Sequence, residues 1–141
     1  MVNITIDGVP LHIRRYDRDT DYAFVFDAWL KNNRNHSKTS PSLYYDAQKE
    51  VIDYLLEHED TWMLCSASDS TTLHGFVCSH SDEYLHYVYI PFKLRKSGLA
   101  RELISYSFGG RYPERIVCTH AGFGSSNRFL TNEHLLMERR T

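Results

Sequence analysis

Cysteine, proline and glycine are all scarce in this chain: three, four and seven in 141 residues. Cys65, Cys78 and Cys118 are odd in number and contain no C-x-x-C pair. That excludes a disulfide framework and makes a reduced, cytoplasmic setting the expectation. No Pro/Gly-rich linker, repeat or low-complexity tract interrupts the sequence, so residues 1–141 are expected to form a single domain. No apolar run approaches the ~20 residues that span a bilayer. The opening MVNITIDG lacks the basic start and apolar stretch of an export signal. An excess of one charge is missing too. Sixteen Lys and Arg face eighteen Asp and Glu, for a net charge of −2, which argues against a general polyanion binder. Aromatic residues are plentiful: ten Tyr, seven Phe and two Trp can fill the core of a small domain.

The chain begins with a hairpin pattern. Ile4–Ile6 alternates, Asp7-Gly8 is a turn dipeptide, and Leu11–Arg14 alternates again. Asp19 or Thr20 can cap a helix carrying Tyr22, Phe26, Trp29 and Leu30. Lys31–Ser42 is polar and positive and predicts a loop. A second helix is expected after it, with Leu43, Ala47, Val51, Tyr54 and Leu55 as its stripe and an end between Glu57 and Asp60. Strand-like runs follow at Trp62–Cys65, Gly75–Cys78 and Tyr84–Ile90, the first two joined by the turn-like SASDSTT. A helix is predicted from Gly98 to Phe108, stopped by Gly109-Gly110. A strand from Arg115 to Thr119, a Gly/Ser turn and a terminal helix from Asn127 to Arg139 complete the pattern. The order ββ, αα, βββ, α, β, α implies an α+β or mixed α/β fold with helices packed on a mixed sheet.

The segment richest in chemistry is LHYVYIPFKLRKSGLAREL, Leu85–Leu103. It places Arg95-Lys96-Ser97-Gly98-Leu99-Ala100 between a strand and an amphipathic helix. Unpaired amides and the helix dipole meet there, Gly98 permits close approach, and Arg95, Lys96 and Arg101 add positive charge. Such a turn suits a phosphate or pyrophosphate. A solvated basic turn is the plainer alternative. Neither GxxxxGK[ST] nor GxGxxG after a first strand is present, so nucleotide hydrolysis and dinucleotide binding have no support. Two C-x-H pairs, Cys78/His80 and Cys118/His120, could in principle meet as zinc ligands, but the spacing is not that of structural zinc and no metal is expected.

R-x-x-G-x-A after a strand and opening a helix resembles the acyl-CoA pyrophosphate loop of the GNAT N-acetyltransferase superfamily, with Ile90 as the aliphatic residue preceding it. The resemblance covers roughly residues 11–138 and fits a compact member, of a kind seen in phages or mobile elements. It implies a mostly antiparallel sheet in which two parallel strands, Tyr84–Ile90 and Arg115–Thr119, splay apart, with the sheet either C-terminally shortened or its terminal segment rearranged in place of the usual last two strands. Acetyl-CoA, as co-substrate, would pair with the main chain from Val88 to Ile90, rest its pyrophosphate on Arg95, Lys96, Ser97, Gly98, Leu99, Ala100 and Arg101, and meet Asn127. His134 stands where the family often has an acidic tyrosine. Glu83, His86 and His120 are the candidates for accepting the amine proton; period-two alternation would put His86 on one face with Val88 and Ile90. The implied activity is acetyl transfer to a primary amine on a small molecule, protein or nucleobase, without a membrane. Base modification of nucleic acid, hinted at by Arg34, His36 and Lys38, and a non-catalytic acyl-CoA-binding module are the alternatives. Homodimerisation is left open.

Overall fold

The computed structural model describes residues 2–6, 8–33, 41–80, 84–95, 97–119 and 129–131. β1 (Val2–Ile6) and β2 (Val9–Arg15) form the expected hairpin, Ile6 facing Val9 across a turn in which Gly8 has φ +81°. α1 (Arg18–Asn33) and α2 (Pro41–His58) follow, then β3 (Asp60–Ser66), β4 (Leu73–His80) and β5 (Tyr84–Tyr89). A short 3₁₀ turn at Phe92–Leu94 leads to α3 (Leu99–Ser107), β6 (Ile116–Cys118) and β7 (Phe129–Thr131). The seven strands among the described residues lie in chain order in one sheet. β1 to β5 pair antiparallel; β5–β6 and β6–β7 are parallel. This is the mixed, mostly antiparallel sheet with flanking helices that the sequence predicts.

α1 is capped by Asp17, earlier than the predicted Asp19 or Thr20. The Asp17 carboxylate accepts the Asp19 amide at 3.0 Å, and the Asp21 carboxylate returns to accept the Asp17 amide at 2.8 Å. Among the described residues of α2, Ile52, Leu55 and Leu56 are buried, while Ala47 is exposed. The helical period holds, but the stripe is rotated from the predicted one.

Alternation along the central strands divides the core in two. Leu64, Val77 and Leu85 face α3, whose Leu99, Leu103 and Ile104 cover them. Met63, Phe76, Cys78 and Tyr87 face α1 and α2, where Val25, Trp29, Ile52 and Leu55 close over them. Trp29 stacks on Tyr87 with ring centres 4.9 Å apart. Cys78 and Cys118 therefore sit on opposite sides of the sheet, which prevents the two C-x-H pairs from converging.

The predicted terminal helix, Asn127–Arg139, is corrected at Phe129–Thr131. That segment is a strand in register with β6, Phe129 beside Ile116 and Thr131 beside Cys118. Phe and Thr are strand formers, and ladder pairing to an existing edge prevails over the helical composition of the residues that follow.

Candidate functional site

β5 is paired unequally on its two sides. Toward β4 its ladder runs from Tyr84 to Tyr89. Toward β6 it pairs only at Tyr84 and Leu85, opposite Val117 and Cys118, and the Thr119 amide then donates to the Leu85 carbonyl at 3.1 Å. Among the described residues, the strand from Val88 onward has no ladder partner on that side. It leads directly into the loop and α3.

The loop is shaped by its own hydrogen bonds. The Arg95 guanidinium donates through Nε to the Ile90 carbonyl at 2.9 Å, the Leu94 amide donates to Pro91, and the Ser97 hydroxyl donates to the Leu94 carbonyl at 2.6 Å. Gly98 is left-handed at φ +82°, and no side chain caps the helix it precedes. A Cβ at Gly98 would meet nothing within 4 Å, so the approach to the helix start is open. Leu99 is the anchor, 1% exposed in the α3-side core, with Ala100 half-buried beside it. The first amides of α3 point outward from this start, as in any α-helix, with the positive end of its dipole. The loop charges are partly engaged: Arg95 lies over the Phe92 ring and Arg101 over Tyr112, 4.6 Å from its centre. Phe92 is 84% exposed.

Val88 and Ile90 lie as predicted along β5 and at its end, both toward the α3-side core. His86 does not share their face. Cys78 pairs with Tyr87 and Ser79 with Leu85, leaving His86 as an extra residue in a β-bulge. The bulge breaks the alternation, so Leu85 and Val88 face α3 while Tyr87 faces α1 and α2. The His86 imidazole is fully buried. Its Nδ1 is 2.9 Å from the Thr119 hydroxyl, and its Nε2 is 3.3 Å from Glu59 Oε1. The other Glu59 oxygen is 2.6 Å from His80 Nδ1. Sequence reasoning missed Glu59 and Thr119 as neighbours of His86, and His80 as the partner of Glu59. Their separation in the chain leaves no spacing signal; only the pairing of β3, β4, β5 and β6 brings them together.

Burial pushes the Cys78 thiol up to about 12; Thr61 acts against this and the Glu59 carboxylate adds to it. Cys118 is likewise raised to about 12 by burial. Both thiols are inert packing groups on that account. Glu83, Lys96, His120, Asn127 and His134 lie outside the described residues. Among the described residues no group of His, Cys, Asp and Glu is arranged to hold a metal ion, and no helix is long and apolar enough to cross a membrane.

No protein-family model matches the sequence, and no curated protein does either. Solved structures do match in shape. The apo form of YjaB from Escherichia coli superposes with a TM-score of 0.52 at 17% identity, over 70% of this chain and 65% of YjaB. A possible acetyltransferase from Clostridium difficile 630 gives 0.52 at 12% identity, over 86% of this chain and 78% of its own. The GCN5-related glucosamine N-acetyltransferase region of a fungal multi-domain GH3 β-N-acetylglucosaminidase gives 0.50 at 14%, over 70% of this chain. The match spans 12% of that fungal chain and, like the match to YjaB, less than two thirds of its length. Together with the half-paired parallel strands, these likenesses identify the fold as that of the GNAT acyl-CoA N-acyltransferases.

Proposed function

We propose that this chain is an acetyl-CoA-dependent N-acyltransferase that acts on a primary amine. The observation that carries the reading is the junction of two features. The side of β5 left without a ladder partner from Val88 onward runs straight into an open helix start preceded by a left-handed glycine. A strand with one unpaired side can accept an extended amide-bearing arm as an added strand. A helix start with outward amides can receive a diphosphate. Pantetheine and pyrophosphate stand in that order in coenzyme A.

In this reading Val88 offers main-chain groups to the donor's arm, while the Ile90 carbonyl is already used by Arg95 and serves to shape the loop. The amides of Leu99, Ala100 and Arg101 would hold the pyrophosphate, with Gly98 keeping the way clear and Lys96 and Arg101 supplying charge. His86, buried and held at Nδ1 by the Thr119 hydroxyl, would act on the amine only through that hydroxyl. Glu83, His120 and His134 are kept as proposed proton-transfer groups and Asn127 as a donor contact. The acceptor amine could be on a small molecule, a protein or a nucleobase; the products are the amide and free coenzyme A.

Thermal-shift titration with acetyl-CoA tests the donor site. At a hundredfold excess over Kd, binding stabilises by about 2.7 kcal/mol, which is several degrees in Tm for a domain of this size. Gly98→Asp should abolish the shift by placing a carboxylate against the diphosphate. Gly98→Ala carries the same backbone strain at φ +82° without the charge and should retain most of it. No shift in the wild-type protein, or a full shift in the Asp variant, would overturn the assignment. Release of thiol from acetyl-CoA with polyamines, peptides or DNA then identifies the acceptor.

A further inference from the structure

Among the described residues Phe92 is 84% exposed, while the large apolar side chain next in that order, Tyr45, is 45% exposed. Single apolar residues are common on protein surfaces, but this one has a particular setting. It opens the 3₁₀ turn that joins β5 to α3, closed by the Leu94 amide on the Pro91 carbonyl and the Arg95 amide on the Phe92 carbonyl. In such a turn side chains three apart lie in line, which puts Phe92 and Arg95 on one ridge. The Arg95 guanidinium carbon is 5.9 Å from the centre of the Phe92 ring. Arg95 also shows where that ridge lies. A Cβ on Gly75 of β4 would run into the Tyr89 carbonyl oxygen, so that carbonyl points toward β4. Ile90 comes next and precedes a proline, which keeps its backbone extended. Carbonyls alternate along an extended chain, so the Ile90 carbonyl points away from β4. It is this carbonyl that Arg95 Nε holds at 2.9 Å. The guanidinium and the ring beside it therefore stand on the side of β5 that lacks a ladder partner, just before the helix start at Gly98.

We propose that the Phe92 ring, steadied by Arg95, is the platform for the purine of the acyl donor. The donor is then a thioester that carries a nucleotide, not a phosphopantetheine arm mounted on a carrier protein. The proposal rests on the acyl-transfer reading above and adds a third element to the strand side and the helix start. Beyond its diphosphate, coenzyme A ends in an adenosine with a 3′-phosphate. A purine has a flat face that stacks on an aromatic side chain whose own face is open, and Phe92 keeps its ring in solvent even with Arg95 beside it. The guanidinium contributes by charge: with Nε fixed on Ile90, its fork is set at the place where the phosphates and the base would meet. A carrier-bound arm has one phosphate and no base, and would leave Phe92 uncovered.

Titration of the full chain with acetyl-CoA and with acetyl-4′-phosphopantetheine, which lacks the nucleotide, tests the platform. Phe92→Ala should raise the Kd for acetyl-CoA at least about fivefold, the loss expected when one stacked base loses its partner. The Kd for acetyl-4′-phosphopantetheine should stay where it was. Phe92→Tyr keeps an aromatic face and should bind acetyl-CoA as the wild type does. Because the side chain stands in solvent, the unfolding temperature without ligand should be nearly the same in all three proteins, so a folding defect cannot imitate the result. In the acetyl-CoA complex, nuclear Overhauser contacts should join adenine H2 or H8 to the Phe92 ring protons. Equal weakening for both ligands, an unchanged Kd in Phe92→Ala, or a saturated complex without those contacts would overturn the platform. A wild-type dimer that Phe92→Ala dissociates would assign the ring to a second copy and overturn it as well. If the wild type binds acetyl-4′-phosphopantetheine as tightly as acetyl-CoA, the purine site falls and the acyl-transfer reading stands. If it binds neither, that reading falls and takes the platform with it.

Discussion

Arg14 and Asp21 tie the first helix to the sheet, and their chemistry sets how the protein meets acid. The guanidinium donates two bonds to the carboxylate, at 2.7 and 2.9 Å, and also reaches the Ser70 carbonyl. Asp21 is fully buried and accepts further bonds from the Asp17 amide and the Thr20 hydroxyl. Burial alone would raise its carboxyl, but these bonds, led by Arg14's, outweigh it and hold the group below its ordinary value. The sign follows from linkage. A depressed native pKa contributes stability that is fully present above the unfolded value, ~3.9, and is lost as pH falls through the lower native value. The denaturant midpoint of the wild type should therefore drop below about pH 4, measured by urea unfolding at several pH values. Asp21→Asn should cost about 3 kcal/mol at pH 7, because it leaves a largely buried guanidinium uncompensated. Its further loss below pH 4 should be smaller than that of the wild type. An equal slope in both proteins would assign the acid sensitivity to other carboxylates.

At the scale of the element, strand β5 depends on a neighbour with no side chain. A Cβ on Gly75 would lie 2.3 Å from the Tyr89 carbonyl oxygen, so the two backbones can approach only because the residue is glycine. Gly75→Ala must push β5 away from β4 and should cost about 1–3 kcal/mol, as overpacking does. Because Tyr89 is the last residue of β5, the same variant should weaken acetyl-CoA binding in the thermal-shift titration while Gly98→Ala does not. Equal stability of Gly75→Ala and the wild type would mean that the strands can separate freely. Elements of this kind divide into legible and illegible ones. The alternation of β2, the helical period of α1 and the R-x-x-G-x-A turn could all be read, because each is a local pattern with a local cause. Neither the role of Gly75 nor the bulge at His86 could, since both depend on which strand lies alongside. Period-two counting put His86 with Val88, whereas one extra residue turned it toward Glu59. At Phe129–Thr131 a free sheet edge outweighed a composition that suggested helix.

For the molecule as a whole, one sheet carries a core on each side, and the two tryptophans report on them separately. Trp29 lies in the α1/α2 core against Phe76 and Tyr87; Trp62 packs on the α3 side, edge-on to Tyr106 with ring centres 5.0 Å apart. The strands between them supply adjacent residues to both cores, Met63 beside Leu64 and Phe76 beside Val77. Neither side can lose its packing without exposing strands that the other needs. Unfolding should therefore be a single transition, as in most domains under 150 residues. Trp62→Phe leaves Trp29 as reporter and Trp29→Phe leaves Trp62, so fluorescence can follow each side during urea unfolding. Into each background Leu103→Ala can be introduced, a fully buried α3 residue that touches only one core. Its cost, about 2–5 kcal/mol from lost burial and the cavity left behind, should shift the midpoint equally for both reporters. Leu55→Ala, the counterpart under α2, should do the same from the opposite side, and the two costs should add to within about 0.5 kcal/mol because the sites lie in separate cores. A Leu103→Ala midpoint that moves for Trp62 and stays put for Trp29 would mean that the α3 side opens on its own. The loop that leads into α3, the proposed donor site, would then be able to leave the sheet without global unfolding.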